Sequence, residues 1–409
     1  MSRGSWGCNS RLTKRFEAPD QGDYMNAPTI TDWRVNQAFL KDSEEELIKR
    51  CFSSSNLPAD EISVKQLGRY GKSGARLLLC HLGEIPYVVK IHDKEKIENE
   101  HSRMTSVCRY FREASDLPAP PVFIDGDGAL LYRYRGDADK EKRKGARTLS
   151  EMLYESEDYG QTFSSKDEEI TLRLDGTWHQ CESARGVAKV QPFVFLEGYS
   201  EYLRQKKASD VLKSIFGPDR TKEEFEFLGS PVNNPLVFIE HECFRAKQEV
   251  KTGPVHGDLH ATNVMVDKYS GVQLIDFAWA HPSNHVLIDY VLMENSVRFL
   301  LFPHQVNPGE QLKVDTKLLD ADGAEALKVW NKGSPLDGYY RRLGVVLSHI
   351  RGAAADLLRT NDDRGFLEYL AAQFLILFGQ MAYPDYNRLI AARALGLIAQ
   401  RLAQGKFAA

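Results

Sequence analysis

The chain has 409 residues, of which 42% are hydrophobic and 27% are charged. At about 150 residues per domain, this length predicts two to three domains or lobes with a sizeable core, which excludes a mainly disordered chain. The formal charge of −4 gives no indication of a nucleic-acid partner. No window reaches the roughly 20 apolar residues of a membrane span.

The cysteines and the N-terminus indicate a reduced compartment. The six cysteines lie far apart, and no pair has the CxxC spacing of a zinc ribbon or a redox motif. The segment MSRGSWGCNS at the start lacks the apolar stretch that follows the positive charge of a secretory signal. We therefore predict a cytoplasmic protein.

The first third of the chain predicts a polar arm, a short helix and a small antiparallel sheet. Residues 1–30 are polar, and Ser43 begins a capping-box sequence ahead of Leu47, where a helix is expected to start. Strands are expected at 62–67, 75–80, 86–91 and 128–134. A charged helix precedes the last of these strands, and one face of it carries Ile97, His101, Met104 and Val107.

The rest of the chain predicts mainly helices. The charge run at 137–145 predicts a solvated loop, and residues 155–250 mix helical and irregular patterns. Three helical stripes near the C-terminus are expected to face a core. Their members are Leu343, Val346, Leu347, Ile350 and Leu357, then Phe366, Leu370, Phe374 and Phe378, then Leu389, Leu395, Ile398 and Leu402.

The most informative stretch is PVHGDLHATNVMV at 254–266, followed by GVQLIDFA at 271–278. Two apolar runs flank a turn, and polar residues stand at the ends of both runs. This arrangement places Asp258, Asn263 and Asp276 around one point. Phosphoryl transfer from ATP needs metal ions on the phosphates and a group that orients the attacking oxygen. The Asp276 carboxylate and the Asn263 amide oxygen suit Mg²⁺, and Asp258 can accept a hydrogen bond from a substrate hydroxyl.

The pattern HGDLHxxN followed by LIDF resembles the aminoglycoside phosphotransferase and choline kinase branch of the protein-kinase-like superfamily. The segment FGQMAYP at 378–384 gives a weaker resemblance to bacterial ternary-complex-associated phosphotransferase-like domains. The first resemblance implies an α+β, bilobal protein-kinase-like fold with ATP in the cleft. Its parts would be an arm with a short helix (1–59), a small antiparallel-sheet N-lobe (60–134) and a mostly helical C-lobe (135–409) with an insertion (155–250).

The same resemblance implies roles for residues of the N-lobe. The glycine-rich turn would cover the triphosphate with backbone N–H groups, through Gly68, Gly71, Ser73 and Gly74. Lys90 would contact the α- and β-phosphates and pair with Glu100, with Glu98 as the alternative partner. Tyr132 and Tyr134 lie in the segment that would bind adenine. Asp289 would brace a helix, and His256 would hold the loop.

Departures from the protein-kinase pattern favour a small-molecule hydroxyl acceptor. Alanine stands in Asp276-Phe277-Ala278 where glycine is usual, no Ala-Pro-Glu follows, and few residues separate Ala278 from Asp289. We therefore predict an enzyme, an ATP- and Mg²⁺-dependent phosphotransferase acting on an aminoglycoside-, sugar- or amino-alcohol-like substrate. Residues 155–250 would form a substrate lid or a surface for a protein partner.

Several alternatives stay open at this level. One is a protein kinase or a nucleotidyl-transferring enzyme of the same fold, and another is a nucleotide-binding sensor or adaptor. The alternating His256, Asp258 and His260 also fit a metal cluster of the HxDxH type, although that reading leaves Asn263 and Asp276 unexplained.

Overall fold

The computed structural model describes residues 29–32, 40–55, 57, 61–66, 74–82, 85–111, 119–133, 147–154, 165–203, 206–218, 221–266, 271–301, 308–319, 337–358 and 363–405. The N-terminal part is a six-stranded sheet in the order β1-β2-β3-β4-β6-β5. Its strands are β1 (Thr29–Asp32), β2 (Glu61–Gln66), β3 (Arg76–Leu82), β4 (Ile85–Asp93), β5 (Val122–Ile124) and β6 (Asp127–Arg133). The four strands that the sequence predicts are present, and β5 is added at one edge.

The strand β1 was not predicted, because it lies where the sequence indicates a polar arm. It pairs with β2 in parallel, whereas the other pairings of this sheet are antiparallel. Thr29 lies opposite Glu61, and Asp32 lies opposite Val64. The segment before the predicted N-lobe therefore contributes a strand to its sheet.

Two helices cover the sheet. The helix α1 (Asp42–Ser54) packs Leu47, Ile48 and Phe52 on one face of it, and all three side chains are fully buried. The capping residue is Lys41 rather than the predicted Ser43, because the Glu44 carboxylate accepts a hydrogen bond from the Lys41 backbone N–H at 2.8 Å. The helix α2 (Lys94–Val107) lies on the opposite face.

The C-terminal part is mostly helical, with small antiparallel sheets. Its helices are α3 (Leu149–Tyr154), α4 (Ser165–Gln180), α5 (Glu182–Gly186), α6 (Phe195–Gly198), α7 (Ser200–Leu203), α8 (Lys206–Phe216), α9 (Pro235–Phe238), α10 (Ile288–Asn295), α11 (Pro308–Leu319), α12 (Asp337–Leu358), α13 (Asp363–Gln380) and α14 (Arg388–Gln404). Its strands are β7 (Arg147–Thr148), β8 (Lys189–Val194), β9 (Glu224–Phe227), β10 (Ser230–Asn233), β11 (Lys247–Val255), β12 (Val264–Val266), β13 (Val272–Leu274) and β14 (His281–His285).

The last three helices carry the core that the sequence predicts. The helix α13 is buried on nearly all sides, as an apolar helix at the centre of a domain should be. Two members of the predicted stripes differ from the expectation. Leu389 is 52% exposed, since it lies in the first turn of α14 at the edge of the core, and Phe366 is half-buried.

A buried ion network anchors α10. The carboxylate of Glu294 accepts hydrogen bonds from Arg351 at 2.8 Å, from Arg298 at 2.9 Å and from Tyr369 at 2.7 Å. Burial works against the charge of Glu294, but Arg351 and Arg298 outweigh it and lower its pKa to about 2. The network fixes the helix whose first turn carries Asp289.

The predicted fold class is confirmed, since a mainly antiparallel sheet in the N-terminal part is followed by a mostly helical C-terminal part. Within the residues described, no helix combines the length and the apolar character that crossing a membrane requires.

Candidate active site

Lys90 is placed by the alternation of β4. Val89 and Ile91 face α1, whereas Val88 packs in the core on the other side of the sheet. Because successive side chains of a strand point to opposite faces, Lys90 shares the face of Val88 and points toward α2 and the C-terminal part. Its side chain is only 3% exposed, so its charge requires partners.

Two carboxylates supply those partners. The Lys90 ammonium lies 2.7 Å from Glu100 of α2 and 2.7 Å from Asp276, which follows β13. The Tyr132 hydroxyl donates to the other oxygen of Glu100. Glu98, the alternative partner from the sequence, lies on the surface, 3.8 Å from Lys94.

The charges of this cluster depend on one another. Burial disfavours the charged form of Lys90, but Asp276 and Glu100 outweigh it and raise the pKa of the lysine. Burial raises the pKa of Glu100 to about 6, against the opposing effect of Lys90. Burial would also raise the pKa of Asp276, but Lys90 outweighs it and the pKa is lowered. Two carboxylates therefore share one ammonium group, and the cluster has a surplus of negative charge.

The loop that carries Asp258 needs glycine beside it. Gly257 has φ +78°, and a Cβ there would lie 2.1 Å from the carbonyl oxygen of Trp279. The Asp289 carboxylate accepts the backbone N–H groups of His256 at 2.9 Å and of Gly257 at 2.8 Å. Asp289 thus braces this loop from the first turn of α10. Burial raises its pKa to about 7, although both hydrogen bonds oppose the shift.

His256 joins the loop to the hairpin of β12 and β13. Its ring is fully buried, with Nε2 3.0 Å from the Ile275 carbonyl oxygen and Nδ1 accepting the Asp258 N–H at 3.3 Å. Burial lowers its pKa to about 4, so the ring is neutral at pH 7. Because both ring nitrogens are engaged by the backbone, His256 is not available to a metal ion.

The side chain of Asn263 contacts Asp258. The Asn263 side-chain nitrogen donates to the Asp258 carbonyl oxygen at 2.9 Å and lies 3.4 Å from its carboxylate. His260 lies 3.5 Å from the same carboxylate. The Asp258 side chain is 29% exposed, so an outside molecule can reach it.

Backbone hydrogen bonds join the loop of Asp258 and Asn263 to the segment that carries Asp276. The Ile275 N–H donates to the Asn263 carbonyl oxygen at 3.0 Å, and Asp276 is the next residue. Asp276 has φ +66°, an uncommon conformation for a residue other than glycine, and such strain clusters at functional sites. The described structure therefore brings together Lys90, Glu100, Tyr132, Asp258, Asn263 and Asp276.

Other predicted residues are placed differently or are not described. Gly68, Gly71, Ser73 and Tyr134 lie outside the described residues. Gly74 precedes β3, with φ +83° and an exposed backbone. The side chain of Tyr132 is buried against Glu100, so it supports the ion pair, and adenine binding by its segment stays a prediction.

The donor set fits Mg²⁺. The Asn263 side-chain nitrogen donates a hydrogen bond within the loop, so the amide oxygen is the atom that could bind a cation. Asp276 adds a carboxylate from a cluster with surplus negative charge. Among the described residues, no group of three or more His, Cys, Asp or Glu side chains is placed to hold a metal ion. The HxDxH alternative is therefore not supported.

Comparison with known proteins assigns the chain to a family. The family model described as Ternary complex associated domain 9 matches residues 155–378, more than half of the chain. The chain belongs to this family, which agrees with the weaker of the two sequence resemblances. No curated protein matches the chain.

Three similar solved structures share only a small fraction of identical residues with this chain. One is the aminoglycoside phosphotransferase APH(4)-Ia with ADP and hygromycin B, at 12% identity and a TM-score of 0.42, covering 88% of this chain and 99% of that one. Another is the choline kinase LicA from Streptococcus pneumoniae, at 13% identity and a TM-score of 0.38, covering 88% and 99%. A third is a glucosamine kinase with glucosamine, ADP and phosphate, at 12% identity and a TM-score of 0.41, covering 87% and 82%.

Proposed function

We propose that this protein is an ATP- and Mg²⁺-dependent phosphotransferase that moves the γ-phosphate onto a hydroxyl of a small molecule. One observation carries the proposal. A buried lysine of the N-terminal sheet, Lys90, is ion-paired to Asp276, and backbone hydrogen bonds tie the residue before Asp276 to the loop of Asp258 and Asn263. This link supports a site in which a cation, two candidate metal ligands and an accessible carboxylate would act on one nucleotide.

Lys90 would bind the phosphates of ATP. The ion pair with Glu100 holds the ammonium in place, and Tyr132 holds Glu100 in turn. A positioned, fully charged lysine stabilises the negative charge on the phosphates without reorganising during the reaction. Asn263 and Asp276 would hold Mg²⁺, and the metal ion would neutralise negative charge on the phosphates.

Asp258 would orient the acceptor. Its carboxylate accepts the hydroxyl hydrogen while the acceptor oxygen forms a bond to Pγ and the bond from Pγ to the bridging oxygen of ADP breaks. The proton passes to Asp258 and then to solvent, and the products are ADP and a phosphate ester. Asn263 and His260 lie close enough to keep the carboxylate in one orientation.

A small acceptor is favoured over a protein. The segment after Asp276, on which a peptide would have to dock, is short. Within it, His281–His285 forms a strand that is paired with β11. A strand held in a sheet cannot rearrange around a peptide without losing its backbone hydrogen bonds.

The test is a transfer assay with γ-labelled ATP and Mg²⁺ over sugars, aminoglycosides, nucleosides and amino-alcohols. We expect label on at least one small molecule with the wild type and loss of nearly all transfer with Asp258→Ala. Label on protein only, or transfer only from α-labelled ATP, would replace the proposal with a protein kinase or a nucleotidyl transferase.

A nucleotide-binding component of an assembly is the second candidate. The description of the family as associated with a ternary complex favours it, and so does the long segment 155–250. Nucleotide binding without turnover under any of these acceptors would support it.

A further inference from the structure

The short helix α7 touches both halves of the candidate site. It lies in the segment 155–250, to which the sequence assigns no residue role. Glu201 forms two hydrogen bonds with Arg103, at 3.0 and 3.2 Å. Arg103 stands on α2, within one turn of Glu100. Through this pair, α7 contacts the helix that holds Lys90 in place.

The next residue reaches the other half. The Tyr202 hydroxyl donates to the carbonyl oxygen of Gly257 at 2.6 Å, directly before Asp258. Its ring stacks on Trp279, with the centroids 5.3 Å apart. Gly257 and Trp279 also meet through the close approach of their backbones. Tyr202 therefore holds the point where the loop of Asp258 meets the segment after Asp276.

The helix α7 is itself fixed to the C-terminal part. Its own turn closes on the carbonyl oxygen of Tyr199 at 3.0 and 3.1 Å, and the Tyr199 side chain is fully buried in the core. A Cβ at Gly379 would lie 2.3 Å from the Tyr202 carbonyl oxygen, so α13 contacts this backbone directly. A segment held in this way has a defined position relative to the loop.

We propose that Glu201 and Tyr202 are positioning residues that couple the helix carrying Glu100 to the loop carrying Asp258. The consequence for turnover rests on the proposed function, whereas the coupling itself does not. Tyr202 positions the loop through a partly buried hydrogen bond, and Glu201 positions α2 through an exposed ion pair.

The test of Tyr202 is hydrogen exchange on the full-length Tyr202→Phe protein, which keeps the ring and removes one hydrogen bond. We expect the amides of 256–263 to exchange about three- to tenfold faster than in the wild type, as the loss of one hydrogen bond implies. Tyr199→Phe is the matched control, because its hydroxyl bonds His285 at 2.7 Å, away from the loop. It should leave this exchange unchanged. In the transfer assay, Tyr202→Phe should lower kcat by a similar factor with the KM for ATP unchanged.

The test of Glu201 is Glu201→Gln, with Glu197→Gln at an exposed position of the preceding helix α6 as its control. We expect the amides of 100–107 to exchange about two- to fivefold faster at low salt, and the difference to vanish in about 1 M salt, where an exposed pair is screened. Because Glu201 is exposed, Glu201→Gln should fold normally. It therefore tests the role of α7 even if Tyr202→Phe does not fold.

Wild-type exchange at 256–263 in a folded Tyr202→Phe protein would overturn the proposal for Tyr202. Wild-type exchange at 100–107 in Glu201→Gln would overturn it for Glu201. Neither readout needs turnover, so faster exchange in a chain that transfers no phosphate would leave the coupling standing and remove the proposed function.

Discussion

The ammonium group of Lys90 lies 2.7 Å from the carboxylate of Asp276, and the two residues come from the N-terminal sheet and the C-terminal part of the chain. The same ammonium group lies 2.7 Å from Glu100. One cation thus compensates two carboxylates, and removing it leaves both without their counter-charge.

Lys90→Met is therefore expected to destabilise the protein strongly. The loss of one partner from a buried pair costs about 3–5 kcal/mol, because the remaining charge stays desolvated. Glu100→Gln should cost less, since Lys90 keeps Asp276. Urea unfolding of both variants measures the difference. Lys49→Met removes a partly exposed pair with Glu45 and should cost less than about 1 kcal/mol. Equal effects of Lys90→Met and Lys49→Met would contradict this account of the cluster.

Asp276→Asn is expected to remove the dependence of nucleotide binding on Mg²⁺. Titration calorimetry should show that the wild type binds ADP more tightly when Mg²⁺ is present. In the variant, this Mg²⁺-dependent increase in affinity should be at least about tenfold smaller. Asp258→Asn should keep the gain, since Asp258 is assigned to the acceptor and not to the metal. If Mg²⁺ increased the ADP affinity of Asp276→Asn as much as that of the wild type, the metal would have to bind elsewhere.

Gly257→Ala is expected to disrupt the loop of Asp258. Its backbone has positive φ and no room for a Cβ against Trp279, so turnover and thermal stability should both fall. Gly126→Ala is the matched control, because Gly126 has φ +95° with open space around it. That variant should lose only about 1 kcal/mol of stability and keep turnover. Similar losses in both variants would show that backbone strain alone is responsible.

Glu294→Gln is expected to weaken the support of α10 in a pH-dependent way. The folded-state pKa of about 2 lies below the ordinary value of 4.5, so the ionised carboxylate stabilises the fold above pH 4.5, and this contribution is lost as the pH falls toward 2. The difference in unfolding free energy between the wild type and the variant should be about 3–5 kcal/mol at pH 7.

That difference should shrink between pH 4.5 and pH 2. Glu46→Gln, which removes an exposed pair with Arg50, should show almost no difference at any pH. A Glu294→Gln deficit that stays constant down to pH 2 would mean that the ionised carboxylate is not the source of the stability.

Much of the fold follows from local pattern. The strands around Lys90 alternate, and the helices at the C-terminus repeat apolar residues at helical spacing, so both could be predicted. The strand Thr29–Asp32 could not, because it joins the sheet through backbone pairing without an apolar pattern of its own. The strand His281–His285 is polar and forms for the same reason.

The candidate site could be predicted in part. Asp258, Asn263 and Asp276 stand close together in the sequence, with spacing that a hairpin explains. The pairing of Lys90 with Asp276 depends on tertiary packing, and so do the contacts of Glu201 and Tyr202. Nothing in the local sequence around Tyr202 indicates that its hydroxyl meets Gly257.

The most direct measurement is a crystal structure of the complex with Mg²⁺ and a non-hydrolysable ATP analogue. We expect a cation bound to the Asn263 amide oxygen and the Asp276 carboxylate, Lys90 on the phosphates, and the γ-phosphate facing Asp258. A nucleotide bound away from these four side chains, or no nucleotide at saturating concentration, would contradict it.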